Sequence, residues 1–79
     1  MFEECLVLED GFSMRISLHD GARYSLALRH RQELLVEFKG DGKEHVRSLR
    51  GREGAYEFKS VEKLRYDFER DAEDALRQG

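Results

Sequence analysis

Seventy-nine residues carrying a net charge of −3, with 39% charged and 39% hydrophobic side chains, make one small domain (1–79) with a thin core that buries about 60–65% of its unfolded surface. Five Phe, three Tyr and ten Leu are too many for a disordered tail, and the absence of proline argues against a rigid linker. The single cysteine, Cys5, excludes an internal disulfide, and no apolar run nears the roughly 18 residues of a membrane span, so a reduced, cytoplasmic protein without membrane attachment or cofactor is expected.

The chain begins "MFEECLVLED", acidic where a secretory leader would be basic. Cys5 to Leu8 are apolar on both faces, which predicts a strand nearer the middle of a sheet and places Cys5 in the core as a small buried residue. Asp10-Gly11 follows, a dipeptide suited to the positive φ angles of a tight hairpin. "FSMRISL" then alternates cleanly, with Phe12, Met14, Ile16 and Leu18 on one face and Ser13, Arg15 and Ser17 on the other. His19 and a second turn, Asp20-Gly21, lead into Ala22, Tyr24, Leu26 and Leu28, set against Arg23, Ser25 and Arg29. Leu34, Val36 and Phe38 alternate with Glu33, Glu37 and Lys39 before Asp41-Gly42 turns the chain again. The return, "KEHVRSLR", is out of phase, because Val46 and Leu49 stand three apart. Gly51 and Gly54 break the chain, and "AYEFK" reads as a short last strand.

Between the second and third Asp-Gly pairs lies "LALRHRQELL", where a reversal is due but no Asp-Gly stands. One reading is a hairpin with a looser or longer loop and an exposed basic tip, Arg29-His30-Arg31. The other makes residues 22–39 a helix with Tyr24, Ala27, Leu28, Leu34, Leu35 and Phe38 on one face and Gly40 as its terminator. The helix would bury Arg31 in the centre of its apolar face and leave Leu26 and Val36 off it, which favours the hairpin.

Ser60 is a suitable N-cap, and residues 61–77 follow without a breaker. Val61, Leu64, Phe68, Ala72 and Ala75 form one apolar stripe. The fold class is therefore α+β: an antiparallel meander of about five to six short strands packed in two layers on one C-terminal helix. The second sheet face is left open to solvent or a partner.

Chemistry is sparse. His19, His30 and His45 stand at no metal-ligand spacing from one another or from Cys5, and "GDG" and "GREG" lack the Lys-Ser/Thr of a phosphate loop. A thin two-layer domain has little room for a deep pocket, so a non-catalytic protein is expected. Charge is uneven: −4 over residues 1–21, +3 over 22–59 and −2 over 60–79. The basic middle offers Arg29, His30, Arg31, Lys43, Arg47, Arg50 and Arg52 as a candidate phosphate-binding patch, interrupted by Glu33, Glu37, Glu44, Glu53 and Glu57. On the helix, Asp67, Asp71 and Asp74 fall within about 60° of one another and could dock on a basic partner. Against that stands an ordinary solvated face carrying the i,i+4 pairs Arg65/Glu69, Arg70/Asp74 and Glu73/Arg77. Tyr66 points about 160° from the apolar stripe, so it should be exposed, as binding aromatics are.

The expectation is a small protein-interaction module that occupies a surface on a larger protein partner. Two alternatives are a nucleic-acid-binding accessory protein using the basic middle, and a structural homodimer formed through an open sheet face or edge. In size and in its strand–Ser–helix ending, "YEFKSVEKL", the chain resembles many small phage-encoded inhibitors, including some anti-CRISPR proteins. That resemblance implies a stoichiometric inhibitor or regulator of a nucleic-acid-handling complex.

Overall fold

A computed structural model describes residues 2–20 and 22–78. The described residues form strands β1 (Phe2–Val7), β2 (Phe12–Leu18), β3 (Arg23–His30), β4 (Glu33–Asp41), β5 (His45–Leu49) and β6 (Arg52–Ala55), followed by helix α1 (Val61–Gln78). The strands make one antiparallel sheet in chain order, β1-β2-β3-β4-β5-β6, and the helix packs across one face of it. This is the expected two-layer α+β meander.

Why the sheet has one buried face is legible in its registers. Met14 stands opposite Leu28 and Ile16 opposite Leu26 across β2–β3; Leu26 stands opposite Phe38 and Leu28 opposite Val36 across β3–β4. The four most completely buried strand side chains, Leu26, Leu28, Val36 and Phe38, are sealed from solvent in one core with Leu64 and Phe68 of the helix. Each such side chain contributes about 1.5–3 kcal/mol by leaving water. Ala72 and Ala75 complete the helix stripe, and their small side chains let its second half lie close to the sheet. Ser60 caps the helix as expected: its Oγ accepts from the Lys63 N–H at 3.1 Å, and its carbonyl accepts from Leu64.

The stretch "LALRHRQELL" turns, and the helical alternative for residues 22–39 is thereby overturned. The turn is tighter than expected: β3 ends at His30 and β4 starts at Glu33, with Arg31 held at φ 59°. A non-glycine residue there is strained by about 1–2 kcal/mol. The neighbouring hairpin compensates. Arg31 N–H donates to the Gly11 carbonyl at 2.7 Å, His30 stacks on Phe12 with centroids 4.4 Å apart, and His30 Nε2 donates to the Asp10 carbonyl at 3.0 Å. The first hairpin has the positive φ pair foreseen for Asp10-Gly11, 60° and 84°. In the second, Arg23 N–H donates to the Asp20 carbonyl, while Gly21 of the foreseen Asp20-Gly21 pair lies outside the described residues.

Four local expectations are corrected. The strand holding "ECLVL" is at the sheet's edge, with Cys5 exposed rather than buried. Leu35, not Leu34, enters the core, because a bulge after Leu28 pairs Arg29 with Leu34 and leaves Leu35 to turn inward. The phase of β5 is set by His45, Arg47 and Leu49, which share the helix-side face with Gly40, Phe38 and Val36; Val46 and Ser48 take the other face. The last strand is Arg52–Ala55 with Gly54 inside it, and Tyr56 to Lys59 are irregular. Tyr56 and Phe58 nevertheless fold over the core, Tyr56 edge-on to Phe38 at 5.0 Å and Phe58 stacked on His45 at 5.2 Å.

Candidate interaction surfaces

The residues singled out from sequence separate into three places. The first is the seam between α1 and β5. Arg47 projects from β5 across the ring of Phe38, 5.7 Å from its centroid, and donates through Nε and Nη2 to both carboxylate oxygens of Asp71, at 2.7 and 2.8 Å. That paired geometry holds the guanidinium proton more tightly than usual, against the opposing effect of burial. Asp67 accepts from the Tyr56 hydroxyl at 2.7 Å and from Lys63 Nζ at 2.9 Å. Burial alone would raise the Asp67 carboxyl, but the two hydrogen bonds outweigh it and hold it below the usual carboxylate range. Tyr56 is pushed well above an ordinary phenol, first by burial and then by its carboxylate neighbour.

Asp67 and Asp71 therefore face the sheet, and the Asp71 side chain is only 10% exposed. Both carboxylates are engaged within the chain, as part of a polar rim over Phe38. Asp74 lies beyond that rim, across a shallow cleft from Arg50 and Arg52. Tyr66 is 60% exposed as foreseen, with Lys63 Nζ 5.7 Å from its ring centroid. Of the expected i,i+4 pairs, Arg77 to Glu73 forms, and Lys63 to Asp67 joins it. Asp71→Ala should cost about 1.5 kcal/mol in urea unfolding, because it strands Arg47 beside an apolar ring. An unchanged midpoint would show that the pair is replaced by water without loss.

The second place is the basic middle, which the sheet divides. Arg31 and Arg50 lie in turns at one end, joined through β4, since Arg50 N–H donates to the Leu35 carbonyl at 2.8 Å. Lys43 lies in the turn at the opposite end, where Asp41 Oδ1 accepts from the Lys43 and Glu44 N–H groups at 3.0 and 2.9 Å. Those two N–H groups hold the exposed Asp41 carboxyl below its usual range. Arg47 is committed to Asp71, and His30 to Phe12 and Asp10. Arg29 projects on the sheet face away from the helix, with Ser13, Arg15 and Ala27. The seven basic residues do not form one surface.

The third place was not foreseen. On β1, Val7 is 90% exposed, Phe2 44% and Leu6 40%. The sequence signal was the apolar character of "ECLVL" on both faces, which fits a central strand or an edge strand that awaits a partner.

Histidine chemistry is absorbed into packing. His45 packs against both Tyr24 and Phe58, which also touch each other; its Nδ1 is 2.9 Å from the Tyr24 hydroxyl, and burial pushes the Tyr24 phenol up to about 12. His19 is exposed. Among the described residues, no three His, Cys, Asp or Glu side chains converge where one ion could be held, and no helix is long and apolar enough to cross a membrane. Comparisons with protein-family models, with curated proteins and with solved structures found no match for this chain.

Proposed function

We propose that the chain is a small, non-catalytic protein-interaction module and that its contact surface is the free edge of β1. The observation that supports this reading is an edge strand with three exposed apolar side chains, Phe2, Leu6 and Val7, and one unpaired row of backbone groups. Sheet edges are ordinarily blunted by short strands, Lys, Pro or bulges. Strand β6 follows that pattern, with four residues including Arg52 and Gly54. Strand β1 is six residues long, pairs with β2 without a register break, and carries no Lys, Pro or bulge; its charges are Glu3 and Glu4, and Cys5 to Val7 carry none. A partner that adds a strand there gains main-chain hydrogen bonds and covers the apolar side chains. A stoichiometric inhibitor or regulator works in this manner, by covering a surface rather than by turning over a substrate.

Cys5→Pro tests the edge directly. The substitution removes an N–H from the middle of the free edge, where proline is tolerated. Proteins recovered from the native host with the tagged chain, its own untagged copy included, should be lost with Cys5→Pro. They should be retained with Tyr66→Ala combined with Asp74→Lys. The reverse pattern would move the contact surface to the helix and overturn the edge.

A further inference from the structure

We infer that the occupant of the β1 edge is the β1 strand of a second copy, paired antiparallel with Cys5 opposite Cys5; this rests on the reading of that edge as the contact surface. The direction of the free backbone groups comes first. Leu8 N–H donates to the Phe12 carbonyl at 2.8 Å, so by antiparallel alternation the pairs Leu6/Met14, Glu4/Ile16 and Phe2/Leu18 carry the hydrogen bonds between β1 and β2. The other side of β2 agrees. Arg31 N–H donates to the Gly11 carbonyl and His19 N–H to the Arg23 carbonyl, so the odd residues of β2 bond to β3. In β1, therefore, the N–H and C=O groups of Glu3, Cys5 and Val7 point away from the sheet.

Symmetry then restricts the register. Two copies of one strand pair antiparallel about a two-fold axis perpendicular to the sheet, which keeps both helices on the same side. Residues facing each other must then share a sheet face, and the hydrogen-bonded pairs must come from Glu3, Cys5 and Val7. Centring the axis on Glu4 sets Glu4 against its own copy, about 4.5 Å apart between Cα atoms, a like-charge pair. Centring it on Leu6 leaves Glu3 beyond the hydrogen-bonded stretch. Centring it on Cys5 sets Glu3 opposite Val7, Cys5 opposite Cys5 and Val7 opposite Glu3, with about six backbone hydrogen bonds.

Charge and apolar surface fit that last register. No carboxylate faces a carboxylate: Glu3 meets Val7 and Glu4 meets Leu6. Within each copy Glu3 already accepts from the Ser17 hydroxyl at 3.1 Å, and Arg15 stands across from Cys5 on the neighbouring strand. The Val7 side chain, almost wholly in water in the single chain, gains cover from the partner strand, as does Leu6 on the helix-side face.

The register makes a charge-specific forecast. Leu6→Glu places a second carboxylate opposite Glu4 in both copies, whereas Leu6→Lys places an ammonium there, and both lose the same leucine packing within the chain. Sedimentation of the reduced chain at high micromolar concentration should show a dimer. Leu6→Glu should weaken it by about tenfold or more, and Leu6→Lys should hold it near the original affinity. A short bifunctional thiol reagent should join the two copies of the unaltered chain through Cys5, whose Cα atoms would lie about 5.5 Å apart. A monomer at every concentration overturns self-pairing; if host proteins are still lost with Cys5→Pro, the edge reading stands without it. A dimer equally weakened by Leu6→Glu and Leu6→Lys, or one that Cys5 does not cross-link, overturns the register.

Discussion

Phe38→Ala should remove a large share of the stability of this fold. The side chain is fully buried and sits where four elements meet: its ring is edge-on to Phe68 of α1 at 5.9 Å and to Tyr56 at 5.0 Å, it faces Leu26 of β3 in register, and it lies beneath the Arg47 guanidinium of β5. Truncating such an aromatic costs about 3–5 kcal/mol, transfer and cavity terms together. A chain of this length holds roughly 4–12 kcal/mol in total. The polar rim adds to the loss, because Arg47, Tyr56, Asp67 and Asp71 are positioned over that ring and gain water when it is gone. A thermal melt followed by circular dichroism should fall by at least about 12 °C, at about 4 °C or more per kcal/mol for a domain of this size. Phe58→Ala is the control. It removes a half-buried ring from the end of the core and should cost less than half as much. Equal losses would mean that the helix–sheet contact is not the centre of the fold.

How much of this was legible in the sequence follows from what each residue depends on. "FSMRISL" and the helix stripe Leu64, Phe68, Ala72 and Ala75 are local periodicities, and the structure buries them as their spacing requires. The Arg31-Gln32 turn was legible only by elimination, since what holds Arg31 at positive φ is the Gly11 carbonyl of another hairpin. The phase of β5 was hidden because its inward residues include His45 and Arg47, whose polar ends find Tyr24 and Asp71, partners 21 and 24 positions away. For the same reason Asp67 and Asp71 read as a free acidic ridge. A helical wheel shows which face they share with Leu64, but not that Tyr56 and Arg47 arrive there from the sheet. Leu35 needed a bulge that no local pattern announces. The edge position of β1 is a property of strand order, which the apolar run "ECLVL" alone does not contain.

Gly40→Ala carries the second large effect, and its sign is the informative part. In an open strand, replacing glycine with alanine stabilises by roughly 0.4–1 kcal/mol, because the unfolded chain loses freedom. Here β4 passes directly beneath the Tyr24 ring, its cross-strand partner. A β-carbon at position 40 would stand 2.5 Å from Tyr24 Cε2, 2.7 Å from Tyr24 Cζ and 2.7 Å from His45 Nδ1. The ring has little freedom to retreat: Tyr24 is 3% exposed, stacks on Phe58 at 5.4 Å and on His45 at 5.6 Å, and shares a hydrogen bond with His45. Moving it disturbs all three rings at once, so the cost should lie near the top of the overpacking range, about 2–3 kcal/mol. Urea unfolding should show the midpoint fall with an unchanged slope. In a Tyr24→Leu background the two contacts with the tyrosine ring are relieved and the one with His45 remains, so the same Gly40→Ala change should cost at least about 1 kcal/mol less, the coupling expected of residues in contact. Equal costs in the two backgrounds would assign the clash to the His45 ring, 2.7 Å from the added carbon, and not to Tyr24.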